Sequence, residues 1–317
     1  ITQRLLLVLS MISFSSVGLA ESIRISQIDS DSLLIDQKVT LYLSVTDQFG
    51  NSVEGLHKDN FQVFESDTET DFPTAAKLAS LKRGTEITDG INFLLLIDNS
   101  GSMYQTLDGK KTADKADRRI THAKQAVLAF LDSIKNPEDK VGLAAYNTYY
   151  NSYSVPTKDY ARIEQLLDEI QMPTQKDAFY SEIYGGVLQA VKEFQTVRGR
   201  KAIIILSDGE NRSFYQNTQT PHKRYGTKVI SYTDPLEELQ KEGVSLYVIN
   251  FGKKGSRQDR NLMKIGEASG GVTFNAQNQQ ELEQVYKKIE DQIRKEYVVT
   301  YTASMVPSEK KHVKVSY

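Results

Sequence analysis

Hydrophobic and polar residues alternate in the part of the chain that follows residue 21. The alternation is clearest over residues 39–45, where valine and leucine occupy every second position. A period of two is typical of strands that bury one face, so we predict a small antiparallel, β-sandwich-like domain over residues 21–87. The alternation returns after residue 297, and we expect the strands of 297–317 to complete this N-terminal domain.

A different pattern begins near residue 88. Residues 91–97, 202–206 and 245–251 are largely continuous apolar runs, of the kind found in central strands that are covered on both faces. Segments with helical spacing of apolar residues lie between them, for example from Ile120 to Ile134. Strands that alternate with helices predict an α/β fold, so we expect a doubly wound, mainly parallel sheet over residues 88–296. This domain would be inserted into the β domain.

Composition excludes several classes of function. The 317 residues carry 39 lysines and arginines against 41 aspartates and glutamates, so there is no electrostatic reason to expect nucleic acid as a partner. The chain contains no cysteine, which excludes disulfides, thiol nucleophiles and thiolate-held metal clusters.

Residues 1–20 form a segment of their own. Arg4 is its only charged residue, an apolar run extends to Leu19, and the small residues Gly18 and Ala20 precede Glu21. This arrangement predicts a cleaved secretory signal peptide, and the alternative is an uncleaved anchor, for which the run is short. We expect an exported protein, periplasmic, surface-bound or secreted, with no transmembrane segment after cleavage. The lack of cysteine favours a bacterial envelope over an animal extracellular space.

Acidic and hydroxyl side chains follow two of the predicted central strands. The first strand ends in Asp98, with Ser100 and Ser102 just beyond it, and Asp208 follows the second. Because ligands of this fold class bind where parallel strands end, we expect these four residues to lie together. Hard oxygen ligands without histidine or sulfur suit Mg²⁺, Mn²⁺ or Ca²⁺. The alternative is that these short polar side chains only cap turns and helices.

The two strand ends read DNSGSM and SDGEN. In this context they resemble the von Willebrand factor A (VWA) domain and its metal-ion-dependent adhesion site. The flanking stretches VTDQFGNSVEGLHKDNFQVFE and IRKEYVVTYT are similar to those of bacterial VWFA-related proteins. The resemblance implies a divalent cation, Mg²⁺ first and Ca²⁺ or Mn²⁺ as alternatives, held directly by Asp98, Ser100 and Ser102 and directly or through water by Asp208. It also implies a protein partner whose acidic side chain completes the metal shell.

One position departs from the family pattern. Asp177 stands where the family places a threonine ahead of a helix. As an atypical fifth ligand, a third carboxylate would cancel the positive charge that a divalent ion otherwise offers to an outside carboxylate. We therefore hypothesise that Asp177 weakens the capture of acidic partners. In the alternative, Asp177 points away and Thr174 or Ser181 substitutes.

The loops around the predicted site offer candidate partner contacts. Tyr149, Tyr150 and Tyr153 follow the strand of residues 141–146, and either anchor a partner or pack as an edge strand. The loop 211–228 is long for a plain connection and is a candidate for partner specificity.

The sequence favours a binding module over an enzyme. It contains neither a GxSxG elbow nor a phosphate-binding glycine loop, and its four histidines show no metal-ligand spacing. We therefore expect a metal-dependent protein-binding or adhesion module. One alternative is a structural envelope protein whose metal only stabilises the fold, and a more remote one is a metal-dependent hydrolase.

Overall fold

The computed structural model describes residues 8–9, 22–49, 51–68, 70–73, 75–83, 86, 90–252, 259–304 and 311–317. The signal peptide predicted for residues 1–20 therefore lies outside the described residues, apart from Val8 and Leu9. Within the described ranges, no helix combines the length and the apolar composition needed to cross a membrane.

The strands and helices are numbered in chain order. The strands are β1 (Val8–Leu9), β2 (Ser22–Asp29), β3 (Lys38–Thr46), β4 (Gln62–Ser66), β5 (Ala75–Ala76), β6 (Leu78–Arg83), β7 (Asn92–Asp98), β8 (Lys140–Tyr146), β9 (Tyr150–Thr157), β10 (Lys201–Ser207), β11 (Ser245–Phe251), β12 (Thr273–Ala276), β13 (Tyr297–Thr302) and β14 (His312–Ser316). The helices are α1 (Leu33–Asp36), α2 (Arg119–Ser133), α3 (Tyr160–Leu167), α4 (Ile183–Lys192), α5 (Phe214–Thr218), α6 (Thr233–Glu242), α7 (Arg260–Ala268) and α8 (Gln279–Arg294).

The central sheet has the strand order β12-β11-β10-β7-β8-β9. All neighbours in it run parallel except β9, which is antiparallel to β8. Every residue of β7, β10 and β11 is buried, because α2, α3 and α8 cover one face of the sheet and α4, α6 and α7 cover the other. The predicted doubly wound, mainly parallel α/β fold is confirmed.

Two smaller sheets, ordered β2-β3-β13-β6 and β1-β14-β4-β5, enclose a separate hydrophobic core. The inward-facing residues of β3 (Val39, Leu41, Leu43 and Val45) are nearly inaccessible to solvent, as their period of two predicts. The strand β13 pairs antiparallel with both β3 and β6, and β14 pairs antiparallel with β4. The last two described strands therefore join the sheets of the N-terminal segment, while the division of the chain at residues 88 and 297 stays a prediction.

The stretch after β8 forms an edge strand rather than an open loop. Tyr150 and Tyr153 belong to β9 and pack against the two opposite core clusters of the central sheet. Their contacts favour the packing interpretation over the partner-anchor interpretation. Pro156 is tolerated in β9 because an edge strand leaves one side of its backbone unpaired.

Candidate functional site

The carboxyl ends of β7 and β10 bring two aspartates to one edge of the central sheet. The two strands are parallel neighbours, with Leu206 opposite Ile97. Asp98 is the last residue of β7, and Asp208 directly follows β10. The strand register therefore sets both carboxylates side by side, as the sequence predicts.

The Asp98 carboxylate is completely buried and accepts three hydrogen bonds. Its Oδ1 accepts from the backbone N–H of Ser100 at 2.8 Å, and its Oδ2 accepts from the hydroxyls of Tyr146 at 3.1 Å and Ser181 at 3.0 Å. Burial, reinforced by the nearby charge of Asp208, raises the pKa of Asp98 to about 7, while the hydrogen bonds from Ser100 and Ser181 act in the opposite direction. A cation at this point would stabilise the ionised carboxylate.

Ser100 and Ser102 form a chain of hydrogen bonds between the two carboxylates, which begins at the backbone N–H of Ser100 on Asp98. The Oγ atoms of Ser100 and Ser102 are 3.1 Å apart, and the Ser102 hydroxyl donates to Asp208 Oδ1 at 2.9 Å. Neighbouring ligands of an octahedral Mg²⁺ shell with bonds of about 2.0–2.1 Å are about 2.9 Å apart, so the oxygen spacing in this chain fits such an ion. The four residues Asp98, Ser100, Ser102 and Asp208 are thus brought together in an arrangement that suits a small hard cation.

The site opens into a pocket of about 450 Å³. Ser100, Ser102, Ser181 and Asp208 line this pocket, together with the charged residues Arg119, Glu210 and Arg212. Among the described residues, no cluster of three or more histidine or acidic side chains is placed to hold a metal. A metal in this pocket would therefore depend on two carboxylates supplemented by neutral hydroxyls.

Asp177 lies apart from these ligands. Its Oδ2 accepts a hydrogen bond of 2.6 Å from the Tyr149 hydroxyl and lies 3.8 Å from Lys223 Nζ. The hydrogen bond from Tyr149, with a smaller contribution from Lys223, lowers the pKa of Asp177. Ser181 contacts Asp98 instead, so the geometry favours the alternative in which Ser181 substitutes for the family threonine.

Replacing Asp177 with threonine is expected to leave Mn²⁺ affinity unchanged within about twofold, because its carboxylate is already engaged by Tyr149 and Lys223 outside the pocket. Isothermal titration of the purified chain with Mn²⁺ measures this, with Ser181→Ala as the variant that should weaken binding. A loss of tenfold or more in Asp177→Thr would instead identify Asp177 as a ligand.

Arg119 is a site residue that sequence reasoning missed. Its Nη1 donates to Asp208 Oδ2, and its Nη2 donates to the backbone carbonyl of Leu107 at 3.3 Å. The side chain is only 10% exposed, and the contact is an ion pair with a predicted metal ligand. The sequence signal was weak, because Arg119 is simply the first residue of α2, with Arg118 before it.

A second pocket, of about 340 Å³, lies between the turn that joins β8 to β9, the start of α4 and the loop 211–228. The imidazole of His222 is buried in its wall and stacks on Tyr225, with ring centroids 4.7 Å apart. His222 Nδ1 accepts from the backbone N–H groups of Arg224 and Tyr225, so Nε2 carries the proton and donates to the Thr148 carbonyl at 2.8 Å. His222 therefore fixes the shape of the loop.

The described site lies inside a domain of known family. The model of the von Willebrand factor type A domain matches residues 92–288, which is more than half of the chain. The chain belongs to this family. The match contains Asp98, Ser100, Ser102 and Asp208, as well as Arg119 and Ser181.

The relatives that match are distant. A UPF0353 protein of Mycolicibacterium gilvum (strain PYR-GCK) is 26% identical over 218 residues, which cover 63% of this chain and 59% of that protein. The uncharacterised protein YwmC of Bacillus subtilis (strain 168) is 23% identical over 225 residues, covering 67% of this chain and 88% of YwmC. The chain thus spans about three fifths of the length of the mycobacterial relative.

The solved structures that match this chain are also distant from it in sequence. An aerotolerance-related membrane protein from Bacteroides fragilis NCTC 9343, with multiple mutations to serines, is 19% identical with a TM-score of 0.48, covering 65% of this chain and all of that chain. The D319A mutant of the PilB minor pilin from Streptococcus sanguinis is 13% identical with a TM-score of 0.49, covering 90% of this chain and 80% of the pilin.

Proposed function

We propose that this chain is an exported protein-interaction module that uses a divalent cation to capture a carboxylate of its partner. The observation that carries this proposal is the convergence of oxygens from Asp98, Ser100, Ser102 and Asp208, with Ser181 completing the set, where Asp98 lies buried behind a pocket that the other four residues line. The composition of 1–20 supports export, and the family membership supports the choice of this edge of the sheet.

The proposed ligands are of two kinds, charged carboxylates and neutral hydroxyls. Asp98 and Asp208 supply two negative charges, while the three serines supply oxygens without charge. A bound cation provides a positive centre that an outside carboxylate can approach through the pocket. Because Asp177 lies outside this set, its carboxylate does not reduce that attraction, in contrast to the hypothesis drawn from the sequence.

The composition of the ligand set favours Mg²⁺ as the physiological ion, with Mn²⁺ close to it and Ca²⁺ as an alternative. Mg²⁺ is usually bound by one or two carboxylates and keeps several waters, whereas Ca²⁺ takes about six to eight oxygen ligands. Mn²⁺ is also the practical probe, since it suits the same oxygen ligands as Mg²⁺ and is directly detectable.

Binding rather than catalysis is the proposed role of the serines. Ser100 and Ser102 hydrogen-bond to each other, and Ser102 and Ser181 donate to carboxylates; nucleophilic catalysis needs a serine paired with a base that a third group orients. The partner is proposed to be a protein with an accessible acidic side chain, and neither nucleic acid nor membrane insertion forms part of the proposal.

The test is a two-stage titration of the purified full chain. Mn²⁺ is titrated first, and acetate is then added as the simplest carboxylate to the Mn²⁺-loaded protein. We expect Ser102→Ala to weaken Mn²⁺ binding by about tenfold or more, with acetate binding lost in parallel. The matched control Ser154→Ala, on the edge strand β9, should match the wild type.

Three outcomes are informative. Acetate that binds only in the presence of Mn²⁺ supports carboxylate capture. Mn²⁺ that binds and stabilises the chain without any acetate binding would contradict capture and favour a purely structural metal. Turnover of a phosphoester or peptide by the loaded protein would contradict the non-catalytic role.

A further inference from the structure

Arg119 places a positive charge inside the proposed metal site. Its guanidinium contacts Asp208 Oδ2, while Asp208 Oδ1 accepts from Ser102. The two oxygens of one carboxylate are thus shared between an arginine and a hydroxyl that is itself a proposed ligand. The ion pair is well shielded, with side-chain exposures of 10% for Arg119 and 4% for Asp208, so solvent screens it only weakly.

The arginine is held in place by its own segment. Its backbone N–H donates to the Gln105 carbonyl at 3.1 Å, and its Nη2 donates to the Leu107 carbonyl at 3.3 Å. Its Nε is buried and has no hydrogen-bond partner within the described residues. The contacts with Gln105 and Leu107 hold the guanidinium against Asp208.

The charge count around the site changes when Arg119 is included. Asp98 and Asp208 together carry two negative charges, which a divalent cation balances, and Arg119 adds one positive charge. Glu210 and Arg212, which also line the pocket, carry one charge of each sign and cancel in this count. With the cation bound, the group as a whole is positive by one unit, and a partner carboxylate is the ligand that neutralises it. Without Arg119, the same group is neutral and attracts an anion less strongly.

We infer that Arg119 lowers the affinity of the site for the cation and raises its affinity for a partner carboxylate. This inference rests on the proposed metal site. The positive charge of Arg119 weakens cation binding, because the guanidinium and the cation are both attracted to the Asp208 carboxylate and repel each other. The same charge strengthens the attraction for an anionic partner. The partner class is therefore a carboxylate, or a protein segment that presents one, rather than a neutral hydroxyl or amide. Arg119 lines the same pocket as the proposed ligands, so its charge acts on the partner carboxylate directly and on the cation through Asp208.

Four proteins test the inference: wild type, Arg119→Gln, Arg119→Lys and the control Arg118→Gln. Arg118 adjoins Arg119, and its guanidinium lies 5.9 Å from the Tyr104 ring centroid instead of on Asp208. The water-proton relaxation of added Mn²⁺ reports the Kd for Mn²⁺, and acetate is then titrated at saturating Mn²⁺. Circular dichroism checks that each variant is folded.

Arg119→Gln is expected to bind Mn²⁺ about tenfold more tightly and acetate about tenfold more weakly than the wild type, since it removes a shielded positive charge that repels the cation and attracts the anion. Arg119→Lys should restore both values towards wild type, and Arg118→Gln should leave both unchanged. The two affinities move in opposite directions, which a general loosening of the site would not produce.

Two results would overturn the inference and leave the proposed function intact. One is a loss of both Mn²⁺ and acetate affinity in Arg119→Gln, which would make the arginine a structural support only. The other is unchanged affinity for both. If the wild type and all variants fail to bind Mn²⁺, the proposed function fails, and the inference fails with it.

Discussion

Asp98→Asn is expected to melt at a higher temperature than the wild type in the presence of a chelator above pH 7, and to lose the stabilisation that Mg²⁺ or Mn²⁺ confers. The wild-type carboxylate is fully buried next to Asp208, so its ionisation is costly without a cation. Asparagine keeps the shape and, through its carbonyl oxygen, accepts the hydrogen bonds of Tyr146 and Ser181, but it removes the charge and loses the acceptor for the Ser100 N–H, which offsets part of the gain.

The metal response should be large enough to read by calorimetry. A cation at one hundred times its Kd stabilises the folded chain by about 2.7 kcal/mol, which corresponds to a rise in Tm of about 4 °C for a chain of this size. The wild type should show this rise and Asp98→Asn should not. The exposed Asp132→Asn serves as the matched control and should respond like the wild type.

The stability difference in chelator should also depend on pH. The folded-state pKa of Asp98 is raised to about 7 from an ordinary value of 3.8, so the folded chain holds this proton more firmly than the unfolded chain. The penalty of ionisation is therefore complete above pH 7 and disappears as the pH falls towards 4. The advantage of Asp98→Asn should shrink over this range. A wild-type metal response retained in Asp98→Asn would contradict the assignment.

Glu296→Gln is expected to lower the free energy of unfolding by about 3–5 kcal/mol, because it leaves the buried Arg200 without its counter-charge. Arg200 Nε and Nη2 donate to the two carboxylate oxygens of Glu296, each at 2.9 Å. Nη1 reaches Gln27 of β2 and Ser245 of β11, both at 2.8 Å. This pair therefore ties the antiparallel sheets to the central sheet.

Chemical denaturation monitored by circular dichroism measures this loss. The exposed pair Lys158–Glu138, with Nζ and Oε2 2.7 Å apart, provides the control, and Glu138→Gln should leave the free energy of unfolding nearly unchanged because solvent screens this pair. Equal losses in Glu296→Gln and Glu138→Gln would contradict a buried link between the sheets.

The sequence predicted those parts of the site that depend on strand ends. Each of two parallel strands is an apolar run followed by an aspartate. This pattern places Asp98 and Asp208 together independently of the loop conformations. Ser100 and Ser102 come two and four residues after Asp98, so their positions also follow from local spacing along the sequence. The doubly wound fold could also be predicted from the sequence, because buried central strands and amphipathic helices differ in their patterns of apolar residues.

The remaining site residues depend on contacts that local patterns do not encode. Asp177 occupies the expected place along the chain, but the turn of Lys176–Phe179 delivers its side chain to Tyr149, and Ser181 reaches Asp98. Arg119 reaches Asp208 only because the long loop after β7 folds back on itself, with Gln105 hydrogen-bonded to the start of α2. No period or motif in the sequence links these residues.

The most direct test of the account is a crystal of the full chain soaked in Mn²⁺ and measured for anomalous scattering. The account predicts an anomalous peak among the side chains of Asp98, Ser100, Ser102 and Asp208, with Asp177 outside its coordination shell. A soaked crystal that shows no peak at this edge of the sheet, with the pocket open to solvent, would contradict the central claim.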